Sequence, residues 1–154
     1  MRRLFNMLKN PNTHKQIGAA KTINLFYRDF REDTELIRTY SLDILYHTLN
    51  ALKSNDKCYA ENKFDTCKSL VEVIDHFSKI ICKKIIGVNA YIGECIQNLN
   101  ALMEYLLFQI SRPFIQLRLI ASKLFSQIAK VHYTSECKYI VDKKPNLIYS
   151  SIIK

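Results

Sequence analysis

Long apolar stripes that meet almost no glycine or proline constrain this chain more than any other feature. Its 154 residues include three Gly and three Pro, too little turn material for many short strands. The chain is therefore expected to run as helices joined by short links. The stripes have the helical period. Leu42, Leu45, Tyr46, Leu49 and Leu52 share a face of a helix predicted from Thr34 to Lys53, and Cys67, Leu70, Val71, Ile74, Ser78 and Ile81 do so from Lys63 to Lys83. The next, from Ala90 to Ile110, carries Ile92, Cys95, Ile96, Leu99, Leu102, Met103, Leu106 and Ile110, broadened by Tyr105, Leu107 and Phe108. A helix apolar on so much of its circumference is expected at the centre, flanked on two sides. Pro113 breaks the pattern or starts a further helix, Arg112 to Val131, that buries Phe114, Leu117, Ile120, Leu124 and Ile128. Arg2-Arg3 with Leu4, Phe5 and Leu8 fit a small transit-like segment less well than a helical turn packed on the body, and Asn146 to Ile153 is expected as a short helix in the tail.

The segment Lys15 to Asp33 holds the densest information. Asn12 or Thr13 is placed to cap a helix just after Pro11. Ile17, Ala20, Ile23, Tyr27 and Phe30 then form a stripe to Arg31, while Gly18, Ala19 and Ala20 keep one flank thin for a neighbouring helix. Arg28, Asp29, Arg31, Glu32 and Asp33 make a charged corner, read as structural, with Glu32 or Asp33 opening the following helix. Helices of this length with short links suit HEAT-like pairs, although a closed bundle has the same signature.

Ile17 to Asp33, IGAAKTINLFYRDFRED, resembles a stretch of the DNA-dependent protein kinase catalytic subunit family, a member of the phosphatidylinositol-kinase-related group. There an Asn-Pro segment leads into a Gly-Ala-rich, aromatic helix closed by Tyr-Arg-Glu-Phe-Arg-Glu-Glu. Here the matching residues are Asn10-Pro11, Gly18-Ala19-Ala20 and Tyr27 to Asp33. Collinear echoes follow at Cys67, at Val73 to Phe77 with Ile80 to Lys84, and at Ser111-Arg112-Pro113 with Lys123-Leu124-Phe125; Pro145-Asn146-Leu147 adds a fourth. The basic loop before the family's fourth helix is much shorter here, around Lys83 to Gly87. The resemblance implies an all-α fold, with residues 1–154 forming one HEAT-like segment of an α-solenoid scaffold and no kinase domain. It also implies a parent serine/threonine kinase that acts in the nucleus in end joining of DNA double-strand breaks. The implied partners are the rest of that polypeptide, the Ku heterodimer and duplex DNA ends. A stand-alone small helical adaptor that binds a partner helix or nucleic acid is the alternative.

No catalytic equipment is legible. Gly18, Gly87 and Gly93 are too scattered for a phosphate-binding loop, and no segment supplies the Lys, metal-binding Asp and base that phosphoryl transfer needs. No cofactor or metal is expected: Cys58, Cys67, Cys82, Cys95 and Cys137 lack paired short spacings and read as reduced, packed thiols. Asp75-His76 are adjacent on a helix and point about 100° apart, so they do not form an acid–base pair. Tyr133-Thr134-Ser135 is a candidate phosphorylation site. No apolar run of membrane-spanning length occurs, the apolar stretch at the start is too short for a secretory signal, and no membrane partner is expected. Net charge is +9, distributed unevenly: residues 1–31 hold seven Lys/Arg against one acid, 112–154 eight against two, and the middle eight against eleven. Basic ends suggest an acidic partner or nucleic acid. Lys123, Lys130, Lys143 and Lys144 are the candidate contacts.

Overall fold

A computed structural model describes residues 1–55, 64–83 and 99–132. Among the described residues there are seven helices and no strand: α1 (Arg2–Lys9), α2 (Thr13–Leu25), α3 (Tyr27–Glu32), α4 (Thr34–Ser54), α5 (Phe64–Lys83), α6 (Leu99–Ile110) and α7 (Ile115–His132). The fold is all-α, as expected. Expectations for residues 84–98 and for the tail beyond His132 lie outside the described residues.

Local chemistry sets the boundaries. Asn10 ends α1 with extended backbone (φ −70°, ψ 138°), the conformation that the following Pro11 imposes. Asn12 caps α2, its Oδ1 accepting from the N–H of His14 at 2.9 Å and of Lys15 at 3.4 Å. Asp33 caps α4 in the same way, accepting from Glu35 at 2.8 Å and Leu36 at 3.2 Å. The single helix expected over Lys15–Arg31 is instead divided at Phe26 (φ −82°, ψ 0°). Hydrogen bonds from both sides meet at Phe26, from its N to Thr22 O and from Phe30 N to its O, so the two helices join through this single residue rather than a loop. Beyond it, Tyr27 stacks on His76 with ring centroids 4.1 Å apart, and Phe30 meets Phe77 edge-on at 5.3 Å.

The centre is α4. It buries eleven of its 21 residues, whereas the described part of the most apolar helix, α6, buries four of 12. Phe108 on α6 is half exposed, so the expectation that this helix is central is corrected. Apolarity around a helix reports what can be covered, not what neighbours it receives. On α4, α1 contributes Phe5 against His47 at 4.7 Å, and α6 contributes Tyr105 against Tyr46 at 4.9 Å. Tyr105 also donates to Asn50 Oδ1 at 3.0 Å. Burial pushes its phenol well above the ordinary range, with Tyr46 adding to the shift.

A buried polar joint ties the ends of three helices. Gln16 is 2% exposed, and its Nε2 reaches Leu8 O at 3.2 Å, Asn10 O at 2.8 Å and Ser54 Oγ at 3.0 Å. Gln16 Oε1 accepts from Asn55 Nδ2, which also donates to Ala51 O, while Thr13 Oγ1 donates to Asn55 Oδ1. The joint satisfies carbonyls at the end of α1 that a helix leaves without internal partners.

Candidate functional site

Helices α5 and α7 run in the same direction. Lys123 Nζ near the middle of α7 meets Asp75 Oδ1 on α5 at 3.4 Å, and His132 Nε2 at the end of α7 lies 2.8 Å from Ile81 O near the end of α5. Between them opens a cleft of about 420 Å³ lined by Asp75, Ser78, Lys79, Cys82, Lys123, Gln127, Lys130 and Val131. A smaller adjoining recess shares Asp75, Ser78, Lys123 and Gln127 with it and adds the apolar Val71, Ile74, Ile120 and Leu124.

The electrostatics are lopsided. Lys123 is engaged by Asp75, both side chains being substantially exposed, so the pair contributes about 0–1 kcal/mol. Lys79 and Lys130 make no ion pair among the described residues. Burial raises the Cys82 thiol above its ordinary value, which keeps it protonated and a poor nucleophile. Asp75 and His76 serve different neighbours. Asp75 turns to Lys123, whereas His76 Nδ1 lies 3.0 Å from Asn24 Oδ1 beneath the Tyr27 ring. Burial lowers the His76 pKa, Lys79 lowers it further, and Glu72 and Asp75 oppose them. The cleft can therefore hold an anionic group, and it assembles no nucleophile–base pair.

Of the four candidate lysines, Lys123 and Lys130 lie at this cleft; Lys143 and Lys144 are outside the described residues. Lys79, absent from the sequence-based set, joins them. Its signal was the spacing of Asp75, Lys79 and Cys82 on one helix and of Lys123, Gln127 and Lys130 on another, readable only once the two helices are known to pair. At the charged corner, Arg28 Nε meets Glu32 Oε1 at 3.4 Å and Arg31 lies 3.8 Å from the same oxygen, all exposed. Asp29 is exposed and Asp33 is the cap described above. Neither Cys67 nor Cys82 forms a disulfide. Among the described residues no three His, Cys, Asp or Glu side chains gather to hold a metal ion, and no helix is long and apolar enough to cross a membrane.

The family model described as DNA-dependent protein kinase catalytic subunit, CC1/2, matches residues 1–130. The chain belongs to this family. It is similar to the DNA-dependent protein kinase catalytic subunits of Xenopus laevis, at 30% identity over 135 residues, and of Mus musculus, at 29% over 135 residues. The Gallus gallus protein is 27% identical over 136 residues. Each alignment covers 80% of this chain but only 3% of the relative, so the chain corresponds to a small helical region of a far larger polypeptide. No solved structure matches.

Proposed function

We propose that the chain is one segment of the helical scaffold of a large kinase polypeptide of this family, stacked as HEAT-like pairs with the rest of that polypeptide. In this reading the whole protein is a serine/threonine kinase that acts in the nucleus in end joining of DNA double-strand breaks, with the Ku heterodimer and duplex DNA ends as partners. One observation carries the scaffold reading. A chain matching 3% of its relatives leaves Ile115 and Leu119, one turn apart on α7, each 60% exposed, and Phe108 on α6 half exposed. A repeat lacking its neighbour exposes such a face.

Sedimentation velocity tests this. The isolated chain should self-associate and bind an apolar dye, and Ile115→Glu with Leu119→Glu should return it to monomer. A dye-silent monomeric wild type would refute the reading in favour of a closed adaptor. The DNA-facing part rests on the two basic ends, whose lysines would meet phosphates without reading sequence. Binding of a short blunt duplex should fall with a log–log salt slope of roughly −3 to −4 for three or four contacts. Changing Lys123, Lys130, Lys143 and Lys144 to Glu should flatten that slope; unchanged affinity and slope would remove DNA contact while leaving the scaffold reading intact.

A further inference from the structure

The cleft between α5 and α7 combines features that neither helix carries alone. Its mouth holds three ammonium groups, Lys79, Lys123 and Lys130, against the single carboxylate of Asp75. Two of the three are without an ion pair among the described residues. Lys123 and Lys130 stand seven residues apart on one helix, two turns or about 10 Å. Beside the lysines the lining holds Val131, 49% exposed, and the half-buried Cys82 thiol, which stays uncharged, together with the neutral polar Ser78 and Gln127.

We propose that this cleft is a docking groove for an acidic amphipathic helix of a partner protein. Its carboxylates would meet Lys79 and Lys130, and its apolar side chains would cover Val131 and Cys82. A helix with acids at i and i+7 and apolar residues at i+3 and i+4 presents both chemistries on one side. A DNA duplex fits less well. It offers phosphates without apolar side chains to cover Val131 and Cys82, and the Asp75 carboxylate in the cleft repels them. The contact surface is small, so the complex is weak and salt-sensitive. The inference is independent of the scaffold reading, because both walls of the groove belong to this chain, and it competes with the DNA-facing part of that reading for the cleft lysines.

The test uses the whole 154-residue chain and a fluorescein-labelled synthetic helix with Glu at i and i+7 and Leu at i+3 and i+4. Fluorescence anisotropy at low salt should show saturable binding, absent when the peptide's Glu are replaced by Lys. Lys79→Gln with Lys130→Gln should weaken binding about tenfold or more, equivalent to one neutralised pair of charge contacts. Val131→Ser should weaken it separately. All three positions are exposed, so the variants should keep the wild-type circular dichroism melt. Failure of the wild type to bind, or indifference to the lysine changes, would overturn the proposal. It would equally be overturned if a blunt DNA duplex displaced the peptide and bound with the same dependence on Lys79 and Lys130 but none on Val131, since the cleft would then belong to phosphates.

Discussion

Replacing Gln16 with Met is the sharpest test of how the first helices are held. Methionine nearly matches glutamine in length and removes both polar atoms from a side chain that is 2% exposed. The amide carries two protons for three acceptors, at Leu8 O, Asn10 O and Ser54 Oγ, and its oxygen accepts from Asn55. About three hydrogen bonds are lost at roughly 1 kcal/mol each. Buried methylene and sulfur return about 1 kcal/mol of apolar burial. Carbonyls left without partners at the end of α1 add a cost of about 1 kcal/mol or more. The net loss is about 2–4 kcal/mol, a melting-temperature drop of about 4–16 °C for a domain of this size. Urea denaturation followed by circular dichroism, with the m-value unchanged, measures it. In a double-mutant cycle with Asn55→Ala the two changes should couple by about 1 kcal/mol or more. A loss below about 0.5 kcal/mol with no coupling would mean that water substitutes freely at this joint, and that α1 is held by its apolar contacts alone.

Phe77→Ala removes a fully buried ring that meets both Tyr27 and Phe30; an unfolding loss of about 3–5 kcal/mol is expected in urea melts, and under about 1.5 kcal/mol would mean that α3 does not depend on α5. Gly18→Ala should stabilise by about 0.5–1 kcal/mol, because the added Cβ would stand 3.8 Å from Met7 Cε, an ordinary contact; destabilisation in the same assay would show that α1 and α2 need a bare backbone there. His76 has a folded-state pKa below its ordinary value, so the unfolded chain binds more protons between the two values. Stability should be full above about pH 6.5 and decline as pH falls through the unfolded value. His76→Asn should flatten this part of the stability profile, and an unchanged slope would assign it to other groups.

Much of the fold was legible because helical period and capping chemistry act over a few residues. Leu42, Leu45, Leu49 and Leu52 on α4, and Leu70, Ile74 and Ile81 on α5, are buried as their spacing requires. Asn12 and Asp33 cap the helices they were placed to open. The break at Phe26 was not legible, because Leu25, Phe26 and Tyr27 continue the helical pattern and carry no glycine or proline. There Tyr27 and Phe30 pack on α5 just past a helix break that propensity alone does not signal. The Gln16–Asn55 joint was equally hidden, since its partners lie 39 residues apart and neither residue type announces burial.

Among the described residues, and apart from the break at Phe26, the sequence by itself determined which segments are helical, which face of each is apolar, and the family to which the chain is similar, because those depend on residue order over short windows. Tertiary structure alone decided which helix is central and which charges meet. The apolar α6 lies outside α4, and Lys79 joins Lys123 and Lys130 only because α5 and α7 run side by side in the same direction. Helix pairing is set by how whole faces fit together, a competition among long-range contacts that no local pattern of residues encodes.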